Sequence, residues 1–431
     1  MLIQLLFVLA FIIIGARLGG IGLGVMGGVG VSVLTFVFGL QPTAPPVDVM
    51  LMIAAVISAA ACMQAAGGLD YLVKIAERLL RSHPQYITLL APLVTYLFTF
   101  LAGTGHVAYS VLPVIAEVAT ETKIRPERPL GIAVIASQQA ITASPISAAT
   151  VALLGLLAGY DITLIDILKI CIPATIAGVI AGALVSMRVG KELMDDPEFQ
   201  RRLKAGEIET KHYELSDIAN KGKARASVLL FVGATVLIVF FGSIPSLRPS
   251  FGGVPLGMPS LIEMLMLSTA AIILMLTGTD GMKAVKGSVF SAGMQAVVAI
   301  FGIAWMGDTF INGNITTLVG SIEHVVNDMP WLFGLALFAM SILLYSQAAT
   351  VRAIMPLGIA LGLHPMLLIA LFPTVNGYFF IPNYPTIVAA INFDRTGTTR
   401  IGKWVLNHSF MIPGIVATAV AICVGLLLIQ L

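Results

Sequence analysis

The stretch Thr142-Ala143-Ser144-Pro145-Ile146-Ser147 interrupts an apolar segment that runs from residue 129 to residue 157. A proline between two serines removes a helical hydrogen bond and offers hydroxyl groups to the backbone instead. Inside a membrane, such a break is tolerated only where the backbone is buried in protein or lines a cavity. The stretch therefore predicts a helix that is broken at a functional position.

The rest of the chain has the composition of a membrane protein. Of its 431 residues, 58% are hydrophobic and 11% are charged, whereas a soluble domain carries about 25% charged residues. About 20 apolar residues span the hydrocarbon core as a helix. Apolar segments lie at 2–15, 21–40, 49–66, 86–119, 129–157, 163–187, 227–244, 261–277, 288–307, 330–363, 366–393 and 404–430. We expect an all-α polytopic protein of the bacterial inner (cytoplasmic) membrane.

A hydrophilic segment, residues 188–225, divides the chain into two halves. Its nine basic and eight acidic residues predict a solvated linker. Short basic clusters lie near residues 17, 74–81, 123–128, 283–286 and 395–403. Because basic residues mark cytoplasmic loops, we expect a cytoplasmic linker and both termini outside. A loop at Glu323, His324 and Asp328 lacks Lys and Arg and should face outward.

This orientation makes two segments enter and leave the membrane on the same side. Residues 86–119 start and end beside cytoplasmic clusters, so they should form a re-entrant hairpin. Residues 330–363 start beside the acidic outer loop and should return to the outside.

The two halves also carry similar motifs in the same order. Gly103-Thr104-Gly105-His106 is followed by Leu112-Pro113, as Ser346-Gln347-Ala348-Ala349-Thr350 is followed by Met355-Pro356. Asn376 and the stretch 383–386 interrupt the later apolar segment. Inverted repeats with discontinuous helices are typical of secondary transporters, with the site at the midplane. The alternative is that Gly, Ser and Pro only permit close helix packing.

These correspondences predict two inverted repeats, residues 1–187 and 226–431, with the linker between them. The predicted parts are scaffold spans at about 2–66, a hairpin and a broken helix at about 86–157, a second hairpin at about 330–363 and a second broken helix at about 366–393.

Broken helices provide hydrogen-bond donors for an anion. The first turn of a helix has unpaired N–H groups and a partial positive charge, so it binds a carboxylate without burying a full charge. Nearby hydroxyl and amide groups would donate to the same oxygens. The predicted substrate-binding residues are Thr104, Gly105, His106, Ser144, Pro145, Ser147, Ser346, Gln347, Thr350, Arg352, Asn376, Asn383 and Thr386.

Two of these residues have competing interpretations. An ionisable side chain within the membrane is a functional candidate, and we favour Arg352 as the cation for a substrate carboxylate. Its alternative role is a structural pair with an acid such as Asp308. His106 would donate to the substrate or carry a proton; alternatively, it is a hydrogen-bonded packing residue.

Glu77, Arg81 and Arg125 are the candidates for a cytoplasmic entrance. Glu77 and Arg81 are four residues apart on an expected cytoplasmic helix, which allows an ion pair. With Arg125, they would form a basic entrance that attracts dianions. The alternative is that these cations only set the orientation of the chain.

The sequence lacks the motifs that other classes of function require. No glycine-rich loop ends in Lys-Ser or Lys-Thr beside a strand, and no Cys/His spacing suggests a metal site. An intramembrane enzyme would have to use Ser144 or Ser147 with His106, and Pro145 opposes an activated nucleophile. A net charge of +2 suggests no nucleic-acid partner. We expect no cofactor, and the coupling cation, if any, stays open.

Several motifs, taken in order, resemble those of one family. They are Gly15-Ala16-Arg17-Leu18-Gly19-Gly20, Gly67-Gly68-Leu69-Asp70, Ala76-Glu77-Arg78-Leu79-Leu80-Arg81, Gly103-Thr104-Gly105-His106, Leu112-Pro113-Val114-Ile115, Arg125-Pro126-Glu127-Arg128-Pro129, Ala143-Ser144-Pro145-Ile146-Ser147 and Phe393-Asp394-Arg395. Across essentially the whole chain, the sequence resembles the anaerobic C4-dicarboxylate transporter (Dcu) family. Residues 45–50 and 105–109 are more similar to its B-type branch.

The resemblance implies inward exchange of fumarate, malate or aspartate for succinate during anaerobic growth. It also implies a homodimeric, elevator-type carrier with paired re-entrant hairpins, and a membrane sensor kinase as a partner of some members. Exchanging one dianion for another moves no net charge. A dianion that moves inward alone must work against the membrane potential, which costs about 2.3 kcal/mol per charge per 100 mV. We therefore expect an antiporter, with proton- or sodium-coupled symport as the alternative. A channel is not favoured, because no ring of like charges is evident.

Overall fold

The computed structural model of the chain is built almost entirely from helices. The structure describes residues 1–18, 21–45, 47–157, 159–208, 220–329, 331–344, 346–382, 384–403 and 406–430. The first half contains α1 (Leu2–Leu18), α2 (Gly22–Phe36), α3 (Val47–Ala65), α4 (Gly68–Ser82), α5 (Ile87–Ala102), α6 (Ala108–Glu121), α7 (Glu127–Ala143), α8 (Ala148–Leu156) and α9 (Leu164–Ser186).

The linker contributes one short helix, α10 (Pro197–Lys204). The second half contains α11 (Lys221–Ser243), α12 (Met258–Thr277), α13 (Gly281–Val285), α14 (Ser288–Asp328), α15 (Trp331–Leu344), α16 (Gln347–Ala360), α17 (Pro365–Leu371), α18 (Pro385–Phe393) and α19 (Met411–Leu428). A two-stranded antiparallel hairpin, β1 (Ser250–Phe251) and β2 (Val254–Pro255), precedes α12.

The helices have the length and polarity that a membrane requires. Within the described ranges, seven helices are long and apolar enough to cross a bilayer. The number is eight if α3 and α4, which bend by 70° at their junction, form one broken span. Because every backbone N–H and C=O must be satisfied inside lipid, a helical fold is the expected solution for so apolar a chain. The prediction of a polytopic helical protein is confirmed.

Small residues bring the helices of the two halves into close contact. On α2, a Cβ added at Gly24 or Gly27 would overlap the backbone of α14 at Val298 or Gly302. On α9, a Cβ added at Gly178 would overlap the carbonyl oxygen of Ala417 on α19. Such close approach is a principal source of helix association in membranes, where lipid gives no hydrophobic drive.

The predicted break at residues 144–147 is present. Helix α7 ends at Ala143, Ser144 adopts an extended conformation (φ −76°, ψ 129°), and α8 begins at Ala148. The later apolar segment is also broken, since α17 passes into a 3₁₀ segment, Phe372–Phe379, in which Asn376 has non-helical angles (φ −95°, ψ 26°). Both interruptions lie where proline and polar residues remove helical hydrogen bonds.

Two expectations about hydrophilic segments need correction. The segment with Glu323, His324 and Asp328 is not a loop, because helix α14 continues through 41 residues to Asp328. The linker is not wholly solvated, since Leu193, Asp196 and Phe199 are buried. Their burial fixes the first part of the linker on the helical body.

Buried ion pairs attach the linker to the corner between α6 and α7. Arg125 donates from Nη1 to Asp196 (2.5 Å) and from Nε to Glu127 (2.5 Å), and all three side chains are almost fully buried. Asp196 also caps α10 by accepting from the backbone N–H of Glu198 and Phe199. Burial alone would raise the pKa of Asp196, but the bond from Arg125 and these backbone N–H groups hold that pKa below its usual value.

The linker also contacts the second half of the chain. Arg202 on α10 donates to the carbonyl oxygen of Arg395, which follows α18. Glu127 accepts from Ser409, just before α19, and its N–H donates to Thr398. The clamp, defined here as Arg125, Glu127, Asp196 and Arg202, therefore joins the linker to loops from both halves.

We predict that Asp196→Asn will lower the free energy of unfolding by about 1–3 kcal/mol at pH 7. The substitution leaves Arg125 buried with one carboxylate, Glu127, and a buried group that loses a hydrogen-bond partner costs about 1–3 kcal/mol. The measurement is a melting curve of the purified protein in detergent. Because the folded pKa of Asp196 is depressed, its stabilisation is complete above the unfolded pKa, about 3.9. It is lost as the pH falls from there through the folded pKa, so the two melting curves should converge in acid.

Glu192→Gln is the matched control for this measurement. Glu192 pairs with Arg128 at 3.0 Å, but its side chain is 65% exposed, and an exposed pair contributes about 0–1 kcal/mol. Equal losses in the two variants would contradict the assigned role of the buried pair.

Candidate functional site

The tip of the hairpin formed by α5 and α6 packs against the break between α7 and α8. Gly103 ends α5 in the left-handed conformation (φ +69°), and a Cβ there would lie 3.0 Å from Ile146. The hydroxyl of Ser144 donates to the carbonyl oxygen of Phe100 (2.7 Å). The serine of the break thus provides a donor for a carbonyl oxygen in the last turn of α5, where the helix itself offers none.

The serine and threonine hydroxyls at this break are used within the protein. Ser147 caps α8 by accepting from the N–H of Thr150 (3.1 Å), and it donates to the carbonyl oxygen of Ile141 (2.5 Å). Thr150 donates to the same carbonyl oxygen. Ser144, Pro145 and Ser147 are buried. Their structural role is to restore hydrogen bonds where α7 stops and α8 starts.

The second half has a matching arrangement. Ser346 caps α16 by accepting from the N–H of Ala349, and Thr350 donates back to the carbonyl oxygen of Ser346 (2.8 Å). On α15, the hydroxyl of Ser341 accepts from the N–H of Gly377 (2.8 Å), beside the break at Asn376. Each hairpin therefore supplies a serine or a carbonyl to the broken helix of its own half.

A chain of buried amides connects the two broken helices, and we call it the amide chain: Gln138, Gln347, Asn376 and Gln139. Nε2 of Gln347 donates to Oε1 of Gln138 (2.7 Å) and to Oδ1 of Asn376 (3.2 Å). Nδ2 of Asn376 donates to Oε1 of Gln139 (3.2 Å). Gln139 then donates to Thr418 on α19 (3.1 Å). Helix α7, the start of α16, the second break and α19 thus meet at one polar centre.

Gln138 lies between the tips of the two hairpins. It bonds to Gln347 at the start of α16, and a Cβ added at Gly105, just before α6, would overlap its Nε2. Gln138 is 1% exposed, and its Nε2 has no hydrogen-bond partner among the described residues. A buried donor without a partner is unusual and unfavourable, so this atom stands out among the polar groups of the centre.

Other predicted residues do not belong to the amide chain or lie outside the described part. Thr386, in the first turn of α18, is buried, and its hydroxyl has no partner among the described residues. The preceding Tyr384 contacts Tyr378 of the broken segment, with ring centroids 4.7 Å apart. Thr104 is half-buried. Asn383 and the side chain of His106 lie outside the described residues, so the predictions for them stay predictions.

Arg352 does not contact the amide chain within the described ranges. It is half-buried on α16, its Nε has no hydrogen-bond partner there, and the charges that act on it are those of Asp308 and Asp48. It follows Gln347 by five positions, which turns it about 140° away around a helix of 3.6 residues per turn. Both interpretations of Arg352, as substrate cation and as partner of Asp308, stay open.

The predicted entrance has a different charge balance from the one expected. Arg81 pairs with Glu77 (2.9 Å), which confirms the spacing argument, and also with Glu117 and Glu121 of α6 (both 2.6 Å). Arg125 is not part of this group, because it is buried in the clamp. With three carboxylates around Arg81, the group joins α4 to α6 and presents no excess of positive charge.

Sequence reasoning missed Gln138 and Gln139. They lie inside an uninterrupted apolar helix, several residues before the break, where no proline, glycine or charge marks them. Two adjacent glutamines in so apolar a run were the available signal, because buried amides need partners.

The sequence profile described as "Anaerobic c4-dicarboxylate membrane transporter" matches residues 1–431. The chain is 43% identical to the anaerobic C4-dicarboxylate transporter DcuB of Escherichia coli O6:H1, covering 98% of this chain and 97% of that protein. It is 45% identical to the C4-dicarboxylate transporter DcuA of Wolinella succinogenes, with the same coverage of 98% and 97%. These identities do not single out the B-type branch that the motifs favoured.

Two solved structures have a similar fold. The YdaH transporter of Alcanivorax borkumensis matches with a TM-score of 0.58 and 13% identity, covering 94% of this chain and 89% of that one. MtrF of Neisseria gonorrhoeae matches with a TM-score of 0.53 and 11% identity, covering 92% and 84%. At such low identity, the likeness concerns the fold alone.

We predict that Gly105→Ala will destabilise the protein by about 1–3 kcal/mol, because the added methyl group overlaps the Gln138 amide and overpacks a buried contact. The measurement is thermal unfolding of the purified protein. Gly155→Ala is the control, since a Cβ at Gly155 meets nothing within 4 Å, and alanine favours a helix over glycine by about 1 kcal/mol. A Gly105→Ala protein as stable as this control would contradict the contact.

Proposed function

The chain belongs to the anaerobic C4-dicarboxylate membrane transporter family, and from this premise we propose that it is an antiporter. In this proposal it exchanges fumarate, malate or aspartate for succinate across the inner membrane during anaerobic growth. The observation that carries the proposal is the amide chain, which joins the broken helices of both halves at one buried polar centre. A dicarboxylate has two anionic ends, and two helix breaks supply donors for both.

The protein is a multi-pass membrane transporter and not an enzyme, because its relatives are named as transporters. The serine geometry agrees with this conclusion. The hydroxyls of Ser144 and Ser147 donate to backbone carbonyl oxygens, so neither is oriented toward a general base.

An inverted repeat is part of the proposal, and the helix packing supports it. If α1–α9 correspond to α11–α19, contacts in one half should recur in the other. Helix α1 packs on α2 as α11 packs on α12, and α1 packs on α14 as α11 packs on α4. Helix α4 packs on α6 as α14 packs on α16, and α6 packs on α18 as α16 packs on α8. Finally, α9 packs on α19, its own counterpart. This exchange pattern supports the proposed two-fold relation between the units 1–187 and 226–431.

In this proposal the substrate-binding residues come from both repeats. The first repeat supplies Thr104, Gly105, His106, Ser144, Pro145 and Ser147, and the second supplies Ser346, Gln347, Thr350, Arg352, Asn376, Asn383 and Thr386. The serines hold the breaks in shape, and the first turns of α6, α8, α16 and α18 present N–H groups. The hairpins and broken helices would then move together as an elevator against the remaining spans.

The proposed working unit is a homodimer, with a membrane sensor kinase as a further partner. These two partnerships rest on the family resemblance alone. Exchange is favoured over cation symport because swapping dianions moves no net charge against the membrane potential. Among the residues that the structure describes, no group of three or more His, Cys, Asp or Glu side chains is arranged to hold a metal ion.

We predict that liposomes loaded with succinate will take up labelled fumarate, and that empty liposomes will not. Arg352→Ala should reduce this exchange at least about 10-fold, since a hydrogen bond to a charged group contributes about 1.5–3 kcal/mol. Asp308→Asn is the matched variant, and it should retain exchange. Equal loss in both variants, together with lower melting temperatures, would assign Arg352 to a structural pair. Uptake into empty liposomes driven by a sodium or proton gradient would replace exchange by symport.

We also predict the sides on which the two hairpins begin and end. In a protein with Cys423 replaced, Ser82→Cys and Thr122→Cys should react with an impermeant maleimide only from the cytoplasm. Met329→Cys and Ala360→Cys should react only from outside, and all four positions are exposed. Labelling of Ser82→Cys and Thr122→Cys from opposite sides would show that α5 and α6 cross the membrane once and are not re-entrant.

A further inference from the structure

The hydrogen bonds of the amide chain can run in only one direction, because a backbone carbonyl at one end fixes which atom of each amide donates. The nearest acceptor at its base is the carbonyl oxygen of Pro373, to which Nδ2 of Asn376 donates at 3.1 Å. A carbonyl oxygen can only accept, so the nitrogen of Asn376 must face it. That nitrogen has two hydrogens, and the second goes to Oε1 of Gln139. Asn376 therefore presents its oxygen, not its nitrogen, to Gln347.

The same reasoning fixes the next two amides. Gln347 must turn its nitrogen toward Oδ1 of Asn376, and the second hydrogen of that nitrogen goes to Gln138. Gln138 must then offer its oxygen to Gln347. Its own nitrogen, with two hydrogens, is left at the end of the chain without a partner among the described residues. A reversal of any one amide would place two donors or two acceptors against each other.

One close neighbour of this nitrogen is a glycine. Gly105 lies beside it and has no side chain, whereas any Cβ would overlap the nitrogen. Gln138 is 1% exposed, so water does not readily satisfy the group. Two helices of 14 residues each begin beside it, α6 just after Gly105 and α16 at Gln347. A buried, unpaired donor beside two helix starts is suited to an anionic oxygen.

We propose that Nε2 of Gln138 donates to a carboxylate oxygen of the transported substrate. Because Pro373 fixes the direction of the chain, Gln138 offers hydrogens at this point and excludes a cationic group. The ammonium group of an amino acid must therefore lie elsewhere in the site. Gln347 and Asn376 act as positioning residues, since they hold Gln138 in this orientation. The inference rests on the proposed transport of dicarboxylates and names a residue that binds their carboxylate group.

The test is equilibrium binding of labelled succinate to the purified full chain in lipid nanodiscs, with melting temperature as a parallel readout. Gln138→Glu keeps an oxygen for Gln347 but removes the donor, and Gln138→Leu removes both groups. A lost hydrogen bond to a charged group corresponds to roughly 10- to 100-fold in affinity. We expect a loss of this size for Gln138→Leu and a larger one for Gln138→Glu, whose carboxylate would also repel the substrate.

Ser137→Ala is the matched control. Ser137 is a fully buried neighbour on α7 whose hydroxyl donates to the carbonyl oxygen of Val134 in its own helix. Its removal should leave succinate affinity within about twofold. The control therefore separates a general disturbance of α7 from loss of the donor itself.

Two results would overturn the inference. One is a Gln138→Leu protein that binds succinate as tightly as the unchanged chain, whatever its melting temperature. The other is an unchanged chain that does not bind succinate. An unchanged chain that binds succinate but does not exchange it for fumarate would instead contradict the proposed antiport. In that case the loss of affinity in the Gln138 variants would still support the inference.

Discussion

The need to satisfy every backbone polar group inside lipid shapes the whole molecule. An unbroken helix meets this need by itself, and a broken helix does not. Each of the two breaks therefore requires donors and acceptors from elsewhere in the protein. At the first break, Ser147 donates to the carbonyl oxygen of Ile141, and Ser144 donates to that of Phe100 at the end of α5. At the second break, Ser341 accepts from the N–H of Gly377. The hairpins are placed where they supply these groups.

The same requirement explains why the polar centre is shared between the halves. Asn376 leaves helical geometry and then bonds to a glutamine on α7 and to the carbonyl oxygen of Pro373. The first half supplies Gln138 and Gln139, and the second supplies Gln347 and Asn376. Two of the three bonds between these amides cross from one half to the other, so the whole amide chain forms only when the two halves are packed together. Glycines such as Gly24 and Gly178 allow that packing to be close.

How far the sequence predicted this arrangement depends on whether a local signal existed. Pro145 between two serines located the first break, and Asn376 located the second, because proline and polar residues are recognisable inside an apolar segment. Gln138 has no such local signal, since its position in the site depends on a hydrogen bond from Gln347, more than 200 positions away. The linker was predicted from its charges, but the burial of Asp196 depends on Arg125 from another segment. The family motif Phe393-Asp394-Arg395 has a structural basis in a buried loop, where Asp394 accepts from the N–H groups of Thr396 and Thr399.

The clamp has a consequence for the order in which the protein assembles during synthesis. Arg125, Glu127 and Asp196 all belong to the part of the chain that leaves the ribosome first, so their ion pairs can form while the second half is still being made. The contact from Arg202 to Arg395 must wait until nearly the whole chain has been translated. Helix α10 is thus positioned early on the first half and can receive a loop that is made almost 200 residues later. The contact from Arg202 to Arg395 is then among the last to form between the two halves.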